Sequence, residues 1–325
     1  VEKLPAPANF VHLRVHSEFS MIDGIVRIKD LIKTTAGYHM PAVGLTDQSN
    51  MYALVKFYKA TSNAGIKPII GADIWLENEE EPESPYRLTL FAQNNDGYRH
   101  VIEIISQAYS HNQFDDKAIV RKEWLFEKSA GLLILSGFRD GDIGQQIVKG
   151  NIEVAESLLA EYVQHFGDRF YLELQRTGRE SEELVLNASL MLAQKFNVPV
   201  VATNDVRFIH QDDFEAHETR VCIGESYALA DKRRIKRYSD QQYFRSPEEM
   251  IELFQDIPSA IENTIEIAKR CSVEVELGKY YLPDFPIPEG LTEAEFFRKI
   301  SYEGLDERLL KILKPEQPDY EERKK

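Results

Sequence analysis

Only two cysteines, Cys222 and Cys271, occur in 325 residues, and they lack the C-x-x-C spacing of a structural zinc site or a redox pair. A reduced, cytoplasmic location is the simplest reading. No apolar run approaches the length of a membrane span; "GLLILSGF" (131–138) is among the longest and fits a buried strand. The opening "VEKLPAPANF" has neither an apolar signal core nor a polybasic region, so residues 1–9 read as a loose, disordered leader. Basic side chains are in deficit, Lys+Arg 39 against Asp+Glu 54, for a formal charge of -15. That argues against a surface that grips nucleic acid over its whole extent, although a local basic patch is compatible with it. The glycine-bearing "FRDGDIGQQ" (138–146) has no P-loop lysine and reads as a turn into a helix.

What is present is a hydrophobic fraction of 43%, enough for a sizeable core, and seven β-rich runs. They are 9–16, 42–47, 67–76, 86–93, 131–138, 169–177 and 198–206, several of them near-continuous in Val, Ile, Leu and Ala, as parallel strands covered by helices are. Helical spacing marks "IVRIKDLIKTTAGY", "EVAESLLAEYVQHFGD" and "ESEELVLNASLMLAQKFN", the second stopping at Gly167 and the third before Pro199. The expected fold is α/β: a distorted seven-stranded (β/α) barrel, with an open doubly wound sheet as the alternative. Residues 209–246 read as a long polar excursion containing "DKRRIKRY" (231–238). Two helices follow, at 246–256 and 257–271, the first opened by a capping serine and a proline at its first position. Residues 10–279 form the main domain. From 280 to 325 the chain reads as a proline-rich connector, one amphipathic helix (292–313) and a charged end, leading toward a further domain.

In a barrel of this class the chemistry sits where strands end. "HLRVHSEFS" (12–20) carries basic side chains at every second position, and alternate strand residues share a face, which groups His12, Arg14 and His16. Asp23 follows. Other strand ends supply Asp47 and Gln48, Asp73, Arg87, Arg176 and Thr177, and Asn204, Asp205 and Arg207. Acids from separate strands collect at one mouth only with a cation to balance them, and that cation is a metal or an arginine. The bland readings are core histidines with backbone partners and turn carboxylates. For Lys232, Arg233, Arg234, Lys236 and Arg237 the bland reading is a solvated face, against a patch for nucleic acid or an acidic partner.

"FVHLRVHSEFSMIDG", "GLTDQSNMYALVKFY", "AGIKPIIGADIW", "YLELQRTGR" and "VVATNDVRFI" resemble, in order, the motifs of the PHP (polymerase and histidinol phosphatase) family. More closely they resemble the N-terminal region of α subunits of bacterial DNA polymerase III in its proteobacterial form. The resemblance implies a seven-stranded distorted barrel whose active members hold up to three metals. Carried onto this chain, it implies that an H-x-H pair has become Arg14 and His16, an Asp-His Asp47 and Gln48, and a Glu Asp73. Histidines have become Arg87 and Thr177, and a closing D-x-H has become Asp205-Val206-Arg207. Five ligand positions are thereby lost and no metal is expected, with His16, Asp47, Asp73 and Asp205 left as weak ligands. The resemblance further implies a parent DNA polymerase that uses Mg2+ on palm aspartates unmatched in this sequence, and a proofreading exonuclease subunit as partner. DNA is then met through the rest of the parent chain, with no membrane involved. A residual metal-dependent phosphoesterase (3′–5′ exonuclease or pyrophosphatase) and a stand-alone phosphatase are the alternatives.

Overall fold

The computed structural model describes residues 8–280, 282, 285–312, 314 and 320–324; most of the predicted leader, residue 313 of the predicted last helix and half of the charged end lie outside them. The chain divides into a large unit ending at Val275 and a small one beginning at Glu276. In the large unit the order is α1 (Ile28–Gly37), β1 (Ala42–Leu45), α2 (Leu54–Asn63), β2 (Lys67–Leu76), β3 (Tyr86–Ala92), α3 (Asn95–His111), β4 (Gln113–Phe114) and β5 (Lys117–Val120). Then come α4 (Lys122–Glu127), β6 (Leu132–Leu135), α5 (Asp142–Val148), α6 (Ile152–Phe166), β7 (Phe170–Leu174), α7 (Glu182–Phe196), β8 (Val200–Ala202), α8 (Phe214–Glu225), α9 (Pro247–Leu253) and α10 (Pro258–Arg270).

The protein is mixed α/β, with β1–β2, β6–β7 and β7–β8 parallel. The expected β/α alternation fails twice: β3 is antiparallel to both β2 and β6, and β4 and β5, which no predicted run covers, form a short antiparallel pair. The cause of the first reversal is legible in "ENEEEPESP" (77–85), a polar, proline-bearing link too short for a parallel crossover, so the chain must reverse. The first predicted run forms no regular strand, but its backbone bonds to β1 and to the loop after β8. His16 N donates to Val206 O at 2.9 Å and Val206 N to Arg14 O at 3.1 Å, while Gly44 N donates to His12 O at 2.7 Å and Thr46 N to Val15 O at 2.9 Å. Residues 12–16 are therefore hydrogen-bonded to β1 and the residue after it on one side and to Val206, four residues beyond β8, on the other. Gly44 permits the approach, since a Cβ there would lie 1.9 Å from Leu13 O.

The strands are apolar because both sides are covered: every residue of β1, β6, β7 and β8 is buried. The helices show the complementary stripe; α1 buries Ile28, Leu31, Ile32 and Thr35 at i, i+3, i+4 and i+7. Helix α9 begins as its sequence dictates, with Ser246 Oγ accepting from Glu249 N at 3.2 Å and Glu249 Oε2 accepting from Ser246 N at 2.7 Å. Two elements differ from expectation. The polar excursion contains helix α8, which buries His217, Glu218, Val221 and Cys222, so polar contacts replace half of the usual apolar stripe. In the small unit, α11 (Glu293–Ile312) precedes the short α12 (Tyr320–Lys324). The exposed Phe297, Ile300, Tyr302, Leu310 and Ile312 of α11 are spread around its axis, not along one amphipathic face.

Candidate functional site

Segment 12–16, the loop carrying Asp23, strands β2, β3 and β7 and the loop after β8 bring a cluster of charges together in the core. Arg14 is its centre. Its Nη2 and Nε donate to Asp73 Oδ2 at 2.7 and 2.9 Å, and its Nη1 reaches both carboxylate oxygens of Glu173 at 3.2 Å. Arg14 Nε also lies 3.5 Å from Asp205 Oδ1. Arg207 pairs with Asp205 (Nη2 to Oδ1, 2.9 Å) and with Asp23 (Nη1 to Oδ2, 2.8 Å). The second contact is short but misaligned for a hydrogen bond, so its attraction is Coulombic. Arg87 Nη2 donates to Asp23 Oδ2 at 3.1 Å, its guanidinium 4.5 Å over the Trp75 ring. All seven side chains are buried, Arg14 and Arg207 to 1% exposure or less.

Three arginines thus face four carboxylates. Burial alone would raise the carboxyl pKa values, but Arg14 and then His16 hold Asp73 well below the usual range, and Arg207 and Arg14 do the same for Asp205. Arg207 and Arg87 likewise hold Asp23 down against its burial. The remaining lone pairs have neutral donors. Thr89 donates to Asp73, Gln242 Nε2 to Asp205 Oδ2 at 2.8 Å, Tyr238 OH to Asp23 at 2.6 Å, and Gln175 Nε2 and Thr203 to Glu173.

Asp47 stands apart. No arginine pairs with it among the described residues; it accepts from Ser17 N (2.7 Å), Ser17 Oγ and Ser20 Oγ (both 2.8 Å). Burial consequently raises its carboxyl, and the two serines offset this only in part. Gln48 Nε2 reaches Asp73 O at 3.3 Å. Thr177 turns away, its Oγ donating to Glu182 at 2.5 Å at the start of α7. Arg176 clamps the exposed Asp256 with two bonds of 2.7 and 2.8 Å, and Asn204 Nδ2 donates to Gln241 O and Tyr243 O at 2.8 Å. His12 does not join Arg14 and His16: its Nε2 meets Arg245 O at 2.8 Å, its ring packs on Phe10 and Phe244, and burial pushes its pKa down to about 4. In "DKRRIKRY", Arg233 pairs with Asp231, Arg234 with Glu218 and Arg237 with Glu225, while Lys232 and Lys236 are exposed.

Two members of the cluster escaped the sequence reading as partners. Glu173 lies inside the apolar run "FYLEL", and a lone carboxylate in a fully buried strand is itself the signal of a buried cation. Asp23, taken as flanking, is the hub between Arg87, Arg207 and Tyr238.

One set of atoms converges as metal ligands do: one ligand atom each of His16, Asp73 and Asp205, all within 4.8 Å of one another. The donors do not fit an ion. His16 Nε2 is 2.9 Å from Asp73 Oδ2 and 3.4 Å from Asp205 Oδ1, and Arg14 Nε faces the same two oxygens. An ion about 2.0–2.2 Å from each ligand would sit against a guanidinium that has no lone pair and keeps its charge. Burial alone would lower the Arg14 pKa, but Asp73, Glu173 and Asp205 outweigh it and hold the pKa well above its ordinary value.

A family model described as the PHP domain matches residues 12–177. DNA polymerase III subunit alpha of Pseudomonas fluorescens is 55% identical over 317 residues, 97% of this chain and 27% of that protein. Its counterpart from Pseudomonas aeruginosa is 55% identical over 313 residues, again 27% of that protein. The chain therefore spans about a quarter of the length of these curated relatives. Among solved structures, an amidohydrolase from Chromobacterium violaceum matches 65% of this chain and 96% of its own at TM-score 0.41 and 10% identity, too slight a likeness to bear on function.

Proposed function

We propose that this chain, which belongs to the PHP domain family, is the N-terminal region of the α subunit of a bacterial replicative DNA polymerase, in the cytoplasm. Template-directed DNA synthesis belongs to the parent chain, on palm aspartates that use Mg2+. The region itself is a scaffold that hydrolyses nothing, braces the polymerase and docks a separate proofreading exonuclease. One observation carries the reading: Arg14 covers the oxygens of Asp73 and Asp205 that face His16, with Arg207 on Asp205 and Arg87 and Arg207 on Asp23. At Arg14, Arg87 and Arg207 the family's metal ligands have given way to fixed positive charge. Gln48 and Thr177 are further losses at ligand positions.

The test is a calorimetric titration of the 325-residue chain with the exonuclease subunit in the absence of DNA. Binding tighter than tens of micromolar, about 6 kcal/mol, is expected. No heat at that concentration counts against docking. The convergence of His16, Asp73 and Asp205 favours a second reading, a residual metal-dependent phosphoesterase. Near-stoichiometric zinc or manganese in the purified chain would establish that one instead.

A further inference from the structure

The loop that carries Asp23 also builds an exposed surface. Met21 and Ile22 are 64% and 57% exposed, and Ile223 on α8 is 73% exposed, although the same loop and helix bury Asp23, His217 and Cys222. The two elements are in contact. A Cβ on Gly224 would lie 2.8 Å from Ile22 Cγ2, and Arg220 Nε donates to Met21 O at 2.6 Å. On α8, Arg220, Ile223 and Gly224 fall at i, i+3 and i+4 and share one face. Tyr227 lies just past the helix end at the left-handed Ser226, exposed, its N donating to Cys222 O at 2.9 Å. Arg233 lies 5.9 Å over the Tyr227 ring, which brings the basic run to the edge of this face.

The surface is held in shape from below. His217 Nε2, on the same helix, bonds Asp23 O at 3.1 Å, and Tyr238 OH, at the end of the basic run, bonds the Asp23 carboxylate at 2.6 Å. The ion cluster thus anchors the loop, α8 and the excursion at a single residue. On a preformed face the backbone is already ordered, and desolvating exposed apolar side chains favours association.

We infer that Met21, Ile22, Ile223 and Tyr227, rimmed by Arg220, Arg233 and Arg237, are the docking surface for an apolar segment with acidic flanks on a protein partner. This rests on the exonuclease-docking reading above and names the surface that serves it. Charge complementarity selects the occupant. The rim carries Arg220, Arg233 and Arg237 on a chain of net charge -15, so it attracts an acidic segment that the remaining surface repels. The Arg233–Asp231 and Arg237–Glu225 pairs are largely solvated on the arginine side, and exposed pairs of this kind exchange partners at low cost.

The experiment measures exonuclease binding to the 325-residue chain and to Met21→Glu and Ile223→Glu, with Met191→Glu as control. Met191 is 67% exposed on α7, outside this surface. Each surface variant should lose more than about tenfold in affinity while keeping the wild-type melting temperature, and the control should lose none. Wild-type affinity should fall as salt rises. Tight binding by the wild type that neither surface variant weakens would overturn the assignment and leave the docking reading standing. No binding by the wild type would remove the docking reading, and this inference with it. Dimerisation of the wild type that Ile223→Glu abolishes, with exonuclease affinity unchanged, would assign the face to a second copy and also overturn it.

Discussion

Replacing Arg207 by alanine is the most direct test of the ion cluster as a structural device. Arg207 is fully buried and is the only cation of the cluster within 3 Å of both Asp23 and Asp205. Its loss leaves four carboxylates facing Arg14 and Arg87 alone. Breaking one side of a buried pair costs about 3–5 kcal/mol. Both stranded acids keep a second partner, Asp205 with Arg14 at 3.5 Å and Gln242 at 2.8 Å, Asp23 with Arg87 at 3.1 Å and Tyr238 at 2.6 Å, which argues for the lower half. Taking about 2 °C per kcal/mol for a chain of this size, the melting midpoint should fall by roughly 6–8 °C at neutral pH. The pH dependence is the sharper signature. Asp23, Asp73 and Asp205 have folded-state pKa values below their unfolded ones. Their contribution is therefore complete above the unfolded pKa of about 4 and is lost as pH falls through the folded values. Without Arg207, the pKa values of Asp23 and Asp205 rise. The variant then sheds their ionic cost by binding protons at mildly acid pH, and its deficit should be widest at pH 7 and narrow toward about pH 5. Thermal melts of both proteins from pH 7 to pH 4.5 measure this. A deficit under about 2 °C, or one that does not change with pH, refutes the reasoning.

Other outcomes follow from the same geometry. The purified chain should carry no stoichiometric zinc or manganese by elemental analysis, and Arg14→His alone should not change that. Histidines at 14, 48 and 207 together with Asp73→Glu should bind metal, and the melting temperature should then rise with added ion. Asp47→Ala strands the Ser17 N–H and two hydroxyls in the core, and should cost on the order of 2–3 kcal/mol in urea denaturation, with no dependence on the arginines. Primer extension by the pure chain should stay at the level of a contamination control, because no palm aspartates are recognisable in its sequence.

The sequence by itself determined the elements and the chemistry of the charges. Runs of Val, Ile, Leu and Ala placed the sheet segments, Ser246-Pro247 opened α9, and Gly167 ended α6. Arginines among strand-end aspartates left a metal or an arginine as the balancing cation, and the resemblance added that histidine ligands had been lost, since a guanidinium cannot be a ligand and cannot lose its charge. Pairing was decided only by the tertiary structure. Spacing could not say that Asp47 would be held by serines while Asp23 took two arginines, nor that Thr177 would turn toward Glu182 instead of the cluster. Period-2 reasoning put His12 beside Arg14, but segment 12–16 is held by isolated bridges and not by a regular ladder, so its side chains follow their own partners. Helix α8 was invisible for a related reason. Sequence patterning reports apolar burial, and α8 buries His217 and Glu218 through contacts to residues far away in the chain, Asp23 and Arg234. Charge partners are chosen by distance in space, and only the tertiary arrangement of strands and loops sets those distances.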